Sequence, residues 1–292
     1  MIPIFFSVLI LVLTISFSTY FFFYEKKNFF YLFLLTAFSF LCILYWPISL
    51  LIILPLIFYE KLSFGQFIST NMFASVLLAW FFLNFFVINL PIYFYLAFLS
   101  LVILCSLSIV GIFERRIRKY LLISNFIQII FIVVDLIIAK MLGEFGVLNL
   151  VQVFNYTIAG TTLFLTVGIF ARNRKYVYEL EGSYFTNRWN DIFATIACLS
   201  LAGLPAFNMF VSEWMFFTKS FILHPSITIL GVFTALLLFV MYYKIIYFLL
   251  TGEGKHKGIP KVITITNGIF AFFCILFGIL PQLQLGILEG LV

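Results

Sequence analysis

Charged side chains are scarce in this sequence. Asp, Glu, Lys and Arg make up 10% of its 292 residues, whereas a soluble domain carries about 25%. Hydrophobic residues make up 64%, which is more than a folded core needs, so the excess must face lipid. The composition excludes an ordinary soluble domain and predicts one all-α, polytopic transmembrane domain over residues 1–292.

Cysteine and histidine are also sparse. The cysteines lie inside apolar runs with no two closely spaced, which argues against disulfides and Cys-ligated metal: Cys42, Cys105, Cys198 and Cys274. His224 and His256 lie in or near loops and cannot form a bis-histidine haem site across a bilayer. The sequence contains no dinucleotide-binding fingerprint, and no serine or aspartate has neighbours in the arrangement of a catalytic triad. We therefore expect no metal site, no catalytic residue and no cofactor bound by this chain.

The net charge of +6 comes from short basic clusters between apolar runs. These clusters do not form the basic stripe of a nucleic-acid-binding protein, so we expect no nucleic-acid partner. Short basic loops of membrane proteins stay on the cytoplasmic or matrix side. If successive apolar runs cross the membrane in alternating directions, the clusters at 114–119, 172–175 and 255–261 lie on the same side of the membrane as Lys61.

The apolar runs predict nine or ten spans. They cover 3–24, 29–59, 66–88, 91–113, 119–140, 147–171, 191–222, 225–250 and 263–285. As one helix, the second run would be about 46 Å long at 1.5 Å per residue, against a hydrocarbon core of about 30 Å. One kinked, tilted helix gives nine spans, which the helix lengths favour. A break at Trp46-Pro47 gives ten, which places Lys26 and Lys27 with the other basic clusters.

One apolar run contains residues that lipid does not tolerate. It reads LSLAGLPAFNMFVSEW at 199–214. Pro205 removes a helical hydrogen bond, and the carboxylate of Glu213 is costly in hydrocarbon. Broken helices line ion paths in several transporters. We predict that the helix 191–222 is discontinuous within a turn of Pro205 and that Glu213 faces protein or water.

Two further charged residues, Asp135 and Lys244, lie inside apolar runs. The functional interpretation is that Glu213 and Lys244 share a hydrated path, in direct or water-mediated contact. Each residue also has a simpler interpretation. Asp135 could lie at the interface near Lys140, Lys244 could extend its ammonium to the interface, and Glu213 could pair with Lys219.

Three stretches match, in order and spacing, the patterns of one membrane protein family. Residues 199–214 follow the form L-S-L-x-G-[LI]-P-P-x-x-G-F-x-x-K-[WF]. IRKYLLISNFIQ at 117–128 matches L-[RK]-[RK]-x-L-A-Y-S-S-I-x-H at Arg118, Lys119, Leu121 and Ser124, with Gln128 where histidine is common. VMYYKIIYFLL at 240–250 is similar to an aromatic-rich helix with one basic residue. The region 91–292 therefore resembles the antiporter-like membrane subunits of respiratory NADH:ubiquinone oxidoreductase (complex I), subunit 2 in particular.

This resemblance implies a non-redox subunit of the H⁺-translocating NADH:ubiquinone reductase, contributing to proton movement coupled to quinone reduction. NADH, FMN, iron–sulfur clusters and ubiquinone are then expected in other subunits. The expected partners are other membrane-arm subunits and lipids such as cardiolipin. The expected location is the mitochondrial inner membrane, and the 42 phenylalanines are typical of an organelle-encoded gene.

The resemblance also assigns site residues. Glu213 takes the position of the family lysine, and subunit 4 of the same enzyme carries glutamate there, which makes subunit 4 the nearest rival. The candidate proton path comprises Glu213, Lys244, Asp135 and Lys119. The break and its polar lining comprise Gly203, Pro205, Asn208, Gln128 and Ser124.

The sequence departs from the family pattern in three respects. It has no acid between Tyr31 and Tyr59, it passes straight on between Phe86 and Leu101 where a lysine-bearing pair should begin, and it is short. Either the polar axis is partly lost, or a separately encoded chain supplies the missing helices. The alternative functions are a degenerate scaffold subunit of the complex and a cation/proton antiporter subunit.

Overall fold

The computed structural model describes residues 2–85, 92–143, 150–172, 174–252 and 258–291. Within these ranges the chain forms twelve α-helices and no strand, with one isolated antiparallel bridge between Arg116 and Tyr176. The helices are α1 Ile2–Tyr24, α2 Phe29–Leu44, α3 Ile53–Ile57, α4 Phe64–Phe85, α5 Tyr93–Phe113, α6 Ile117–Leu142, α7 Leu150–Ala171, α8 Tyr184–Leu201, α9 Asn208–Leu223, α10 Pro225–Leu250, α11 Lys261–Ile279 and α12 Pro281–Leu291. The predicted all-α, polytopic bundle is confirmed.

The run 29–59 does not form one kinked helix. α2 ends at Leu44 and is followed by a 3-10 helix, Trp46–Ile52, and then by α3. α2 and α4 run parallel, because the Tyr31 hydroxyl lies 2.7 Å from Thr70 Oγ1 near their starts and Trp80 Nε1 donates to the Cys42 carbonyl (3.0 Å) near their ends. Because α2 and α4 run in the same direction, the segment that joins them must cross the membrane in the opposite direction. A 3-10 helix rises about 2 Å per residue, which lets this short segment cover the distance.

The described residues therefore give ten crossings. Eight helices are long and apolar enough to span a membrane, the segment 46–57 adds one, and α8 with α9 adds the tenth. The last predicted span, 263–285, is also interrupted, since α11 ends at Ile279 and α12 begins at Pro281.

The break at residue 45 brings Lys26 and Lys27 to the same face as the other basic loops. The carboxylate of Glu25 contacts Ser63 before α4, and the guanidinium of Arg172 stacks over the ring of Tyr24. Arg118 donates to the Leu62 carbonyl, which places the 114–119 cluster there too. We call this end of the bundle the basic face. Lys255, His256 and Lys257 lie outside the described residues.

Three helices form the centre of the bundle. Between 83% and 89% of the apolar windows of α4, α6 and α7 is buried, against 22–39% for the other five long spans. α8 and α9 both pack against α7, and α9 also packs against α6. Polar side chains on α4, α6 and α7 are thereby shielded from lipid, as membrane proteins require.

The hydrogen bonds of Glu25 predict that this residue stabilises the start of α4. Its carboxylate accepts from the Gly65 N–H (2.8 Å), Ser63 Oγ (2.5 Å) and Asn28 Nδ2 (3.0 Å). Glu25→Ala is expected to lower the free energy of unfolding by about 2 kcal/mol, the upper range for loss of a helix cap. Unfolding in detergent micelles measures this loss. Lys27→Ala, an exposed neighbour, serves as the control, and an equal loss in both variants would contradict the capping role.

Candidate functional site

The predicted discontinuity lies at residues 202–207, between α8 and α9. α8 ends at Leu201, and Gly203 follows it with a φ of 68°, in the left-handed region that glycine tolerates best. Ala206 has a φ of 76° and is the one non-glycine residue with positive φ among the described residues. Pro205 lies between these two positions. The interruption therefore falls within a turn of the proline.

The carboxylate of Glu213 packs directly on this interruption. Glu213 lies in the second turn of α9 and is 3% exposed, so it faces the protein, as predicted. A Cβ added at Gly203 would overlap with Glu213 Oε2. The missing side chain at position 203 therefore creates the space that the carboxylate occupies.

Tyr242 of α10 connects Glu213 to α6. Glu213 acts electrostatically on Tyr242, whose buried hydroxyl lies 2.7 Å from Ser124 Oγ. Gln128 is one turn beyond Ser124 on the same face of α6 and is also buried. Its side-chain amide faces the Tyr242 hydroxyl without meeting the distance and angle of a full hydrogen bond among the described residues. Ser124 and Gln128 therefore line the Tyr242 hydroxyl.

Asn208 fixes the start of α9 in the bundle. Its Oδ1 accepts from Ser200 Oγ (2.5 Å) and its Nδ2 donates to the Asn155 carbonyl (3.1 Å). Asn155 returns a hydrogen bond from Nδ2 to the Asn208 carbonyl (2.8 Å) and accepts one from Gln284 Nε2 of α12 (2.7 Å). Both ends of the interruption are thus held by side chains of α7, α8 and α12.

A second polar cluster, which the sequence did not predict, joins the three central helices. Asn125 Oδ1 accepts from Ser75 Oγ and from the Tyr156 hydroxyl, both at 2.6 Å. Asn125 Nδ2 donates to the Asn71 carbonyl and to its side-chain oxygen, both at 3.1 Å. Tyr156 directly follows Asn155 on α7, so the two clusters meet within the bundle.

Asp135 faces Lys219 and not the interface. The two residues are 5% and 6% exposed, and Lys219 is the one charged group that acts electrostatically on Asp135. Phe131 and Phe216, one turn earlier on α6 and α9, pack with ring centroids 4.7 Å apart and planes tilted by 52°. Lys219 Nζ is buried without a hydrogen-bond partner among the described residues, so it pairs neither with Glu213 nor with Asp135 at salt-bridge distance. Asp135 and Lys219 therefore form a charge pair at longer range.

Lys244 lies at the basic face. Its ammonium donates to the carbonyls of Ile112 (2.9 Å) and Glu114 (2.5 Å) at the end of α5. Across the described residues it forms no ion pair with Glu213. The expected contact between Glu213 and Lys244 is thus wrong, because the long lysine side chain extends to the helix end.

Lys119 also lies at the basic face, where it forms a 3.0 Å salt bridge with Glu114. Partial burial would raise the pKa of Glu114, but hydrogen bonds from the Arg116 backbone and the Lys119 ammonium lower it below its usual value. The pair is therefore charged at neutral pH and stands at the surface, apart from the Glu213 site.

The structure thus brings Gly203 and Glu213 together and places Ser124 and Gln128 against Tyr242, with Asn208 fixing the interruption. Lys119 and Lys244 lie apart from this group. Sequence reasoning missed Tyr242, although it stands two positions before the lysine of the third matched stretch. It also missed Lys219 as a buried residue, because its position near the end of an apolar run resembles a loop boundary.

The fold is shared with one chain in each of two solved assemblies. A chain of the Mrp complex from Dietzia sp. DQ12-45-1b matches 80% of this protein with a TM-score of 0.63 and 17% identity. A chain of respiratory complex I from Thermus thermophilus with bound aureothin matches 77% with a TM-score of 0.64 and 14% identity. No protein-family model and no curated protein sequence matches this chain.

At these identities the likeness establishes the fold, and it confirms at that level the predicted resemblance to antiporter-like membrane subunits. Each match covers 53% of the other chain. This protein therefore spans about half the length of the two chains that it matches.

The contact between Gly203 and Glu213 predicts the effect of a methyl group at this position. Gly143 is a matched control, because its φ is 71° and a Cβ there meets nothing within 4 Å. Both glycine-to-alanine variants should lose about 1–2 kcal/mol of stability to the left-handed backbone, and Gly203→Ala about 2 kcal/mol more to displacement of the carboxylate. Unfolding in micelles gives both values. In a Glu213→Ala background the additional loss should disappear, and its persistence would show that the carboxylate does not occupy this space.

The burial of Asp135 beside Lys219 predicts that the two residues stabilise each other. Lys219→Met leaves a buried carboxylate without its cation and should cost about 3 kcal/mol of unfolding free energy. The double variant Asp135→Asn/Lys219→Met should cost at least about 1 kcal/mol less than the sum of the single variants. The same cycle with Lys140→Met tests the interfacial alternative. Stronger coupling of Asp135 to Lys140 than to Lys219 would refute the assignment.

Proposed function

We propose that this protein is a membrane-arm subunit of a proton-translocating NADH:ubiquinone oxidoreductase, subunit-2-like, which moves protons and contains no redox centre. The observation that carries the proposal is the buried carboxylate of Glu213 packed on the interruption between α8 and α9. An interrupted helix and a titratable side chain occupy the same place inside an apolar bundle. This combination favours ion transport over a purely structural packing role.

The chemistry requires a carboxylate whose protonation responds to nearby charge and hydration. Glu213 accepts a proton from the hydrated region lined by Ser124 and Gln128 and releases it when the local charge changes. The Tyr242 hydroxyl contacts Ser124 and is within electrostatic range of Glu213, so we infer that it can relay the proton. No bond other than those to the proton forms or breaks in this chain.

α6 supplies the direction of the path. Ser124, Gln128 and Asp135 lie on one buried face of this helix, with Ser124 nearer the basic face and Asp135 about 16 Å further along at 1.5 Å per residue. Glu213 is adjacent to the first two through Tyr242, and the pair of Asp135 with Lys219 lies towards the opposite face. Lys119 and Lys244 line the basic end, where they adjust the charge at the entrance.

Complex I membership explains the matched stretches at 117–128, 199–214 and 240–250 as well as the fold. The remaining parts of the proposal follow from that membership. NADH, FMN, iron–sulfur clusters and ubiquinone bind to other subunits, and quinone reduction drives this chain through conformational and electrostatic coupling. The protein then resides in the mitochondrial inner membrane beside other membrane-arm subunits, one of which can be a separately encoded chain that completes the helix set.

A cation/proton antiporter subunit is the second candidate, and the likeness to a chain of the Mrp complex favours it. Both candidates use the same interrupted helix. They differ in the source of energy, which is quinone reduction in the first and an ion gradient in the second.

Glu213→Gln tests the proposal, because it removes the titratable proton and keeps the size of the side chain. Proton flux through this chain should fall by about 100-fold or more, as expected for a lost acid–base group. The measurement is protons translocated per NADH oxidised by the intact complex in proteoliposomes. Glu289→Gln, which alters an exposed carboxylate on α12, should leave the ratio unchanged.

Native electrophoresis with mass spectrometry establishes in the same samples whether NADH-oxidising subunits accompany the chain. Unchanged pumping by an intact Glu213→Gln complex would support the scaffold alternative. Cation-driven proton exchange without NADH, lost in the same variant, would support the antiporter.

A further inference from the structure

A cavity at the basic face collects positive charge from two separate parts of the chain, residues 116–119 and 172–175. It has a volume of about 480 Å³ and opens between the segment before α4, the start of α6 and the residues after α7. Its cationic lining consists of Arg116, Arg118, Lys119, Arg172, Arg174 and Lys175. We call it the cationic cavity.

The protein itself offsets only part of this charge, because Glu60, Glu114, Glu179 and Glu25 act on four of the six cations. Glu60 is the one acidic residue in the described lining, and its carboxylate is 4.0 Å from the Arg116 guanidinium and 70% exposed. Lys119 is neutralised by Glu114. Partial burial lowers the pKa of Arg174 although Glu179 acts in the opposite direction. Like charges collected in one cavity repel each other, and a bound anion would relieve that repulsion.

Membrane topology alone does not explain why the cations gather in one cavity. The positive-inside rule requires basic residues in the loops of one side of the membrane, but it does not require their side chains to point to one place. A second cavity at the same face, of about 550 Å³, has only Arg188 and Lys261 as cations in its described lining. Among the described residues, six cations therefore line this one cavity against two in the second.

An apolar surface adjoins the cationic cavity. A neighbouring cavity of about 550 Å³ shares Arg116 with it and is lined on one side by Ile109, Val110 and Phe113 at the end of α5. Phe113 is 75% exposed, and α5 is a membrane span. Cations at the end of a span beside an exposed apolar helix face form an amphipathic site at the depth of lipid headgroups.

We propose that the cationic cavity binds the phosphate headgroup of an anionic phospholipid, whose acyl chains lie along α5. Arg116 stands at the junction of the two cavities and contacts the phosphate nearest the chains. Arg174 and Lys175 bind headgroup oxygens further inside. The apolar surface beside the cations favours a lipid over a soluble phosphate compound, which would leave that surface unused.

Lipid binding to the full chain in detergent tests the proposal. The probes are phosphatidylglycerol, cardiolipin and phosphatidylcholine, with inorganic phosphate as the soluble anion. The variant is Arg116→Gln/Arg174→Gln, and the control is Arg188→Gln/Lys261→Gln, which removes two cations from the second cavity. At about 1 kcal/mol per basic residue and 1.4 kcal/mol per tenfold change, the first variant should bind anionic lipid about 30-fold more weakly.

Native mass spectrometry counts the retained lipids, and the melting temperature reports their effect on stability. The expected result is a rise in melting temperature with anionic lipid that exceeds the rise with phosphatidylcholine, and loss of one retained lipid in the first variant alone. Equal losses in both double variants would indicate general charge attraction and overturn the site. An equal effect of inorganic phosphate would overturn the assignment to a lipid. Since lipid counting requires only the folded fraction, reduced expression of a variant does not prevent the test.

Discussion

The contact between the Glu213 carboxylate and the bare α-carbon of Gly203 is the interaction on which the rest of the site depends. A carboxylate inside an apolar bundle needs polar surroundings, and an unbroken helix offers none because its backbone groups bond to one another. The interruption at 202–207 breaks the helical ladder, and glycine lets the carboxylate approach the backbone there. The hydrogen bonds of Asn208 with Ser200 and Asn155 then hold the interruption in place.

The surrounding bundle separates polar from apolar surface by helix. α4, α6 and α7 are almost entirely enclosed and carry the clusters around Asn125 and Asn155. Each outer helix buries a narrow stripe of side chains against the bundle and exposes its other side chains to lipid. Many serine and threonine hydroxyls donate a hydrogen bond to the backbone carbonyl four residues earlier, as those of Thr157 and Thr162 do. Charged groups are consequently confined to the interrupted helix, to the Asp135–Lys219 pair and to the helix ends.

The parts that sequence predicted are those that depend on local chemistry. A proline two residues after a glycine predicted the interruption. Loop charges predicted the basic face, and they included Lys26 and Lys27 only on the condition that the run 29–59 is broken. Partners across helices were not predictable, because they depend on helix depth and rotation. Lys244 stands six residues before the end of α10, which is close enough for its ammonium to reach the end of α5. The crossing at 46–57 was ambiguous, because hydropathy does not distinguish a 3-10 helix from an α-helix.

The two ends of the proposed path differ in how the charges of their side chains are balanced. At the basic face, Lys119 pairs with Glu114 while the cations around Arg116 and Arg174 exceed their acids, so anions from the membrane can complete the balance. Deeper in the bundle, Asp135 has only Lys219 to balance it. Interior charge is poorly screened, so a change of charge at Lys219 alters the electrostatic energy of Asp135 more than a similar change at the exposed basic face alters that of its neighbours. Asp135 should therefore respond to Lys219 before it responds to the basic face.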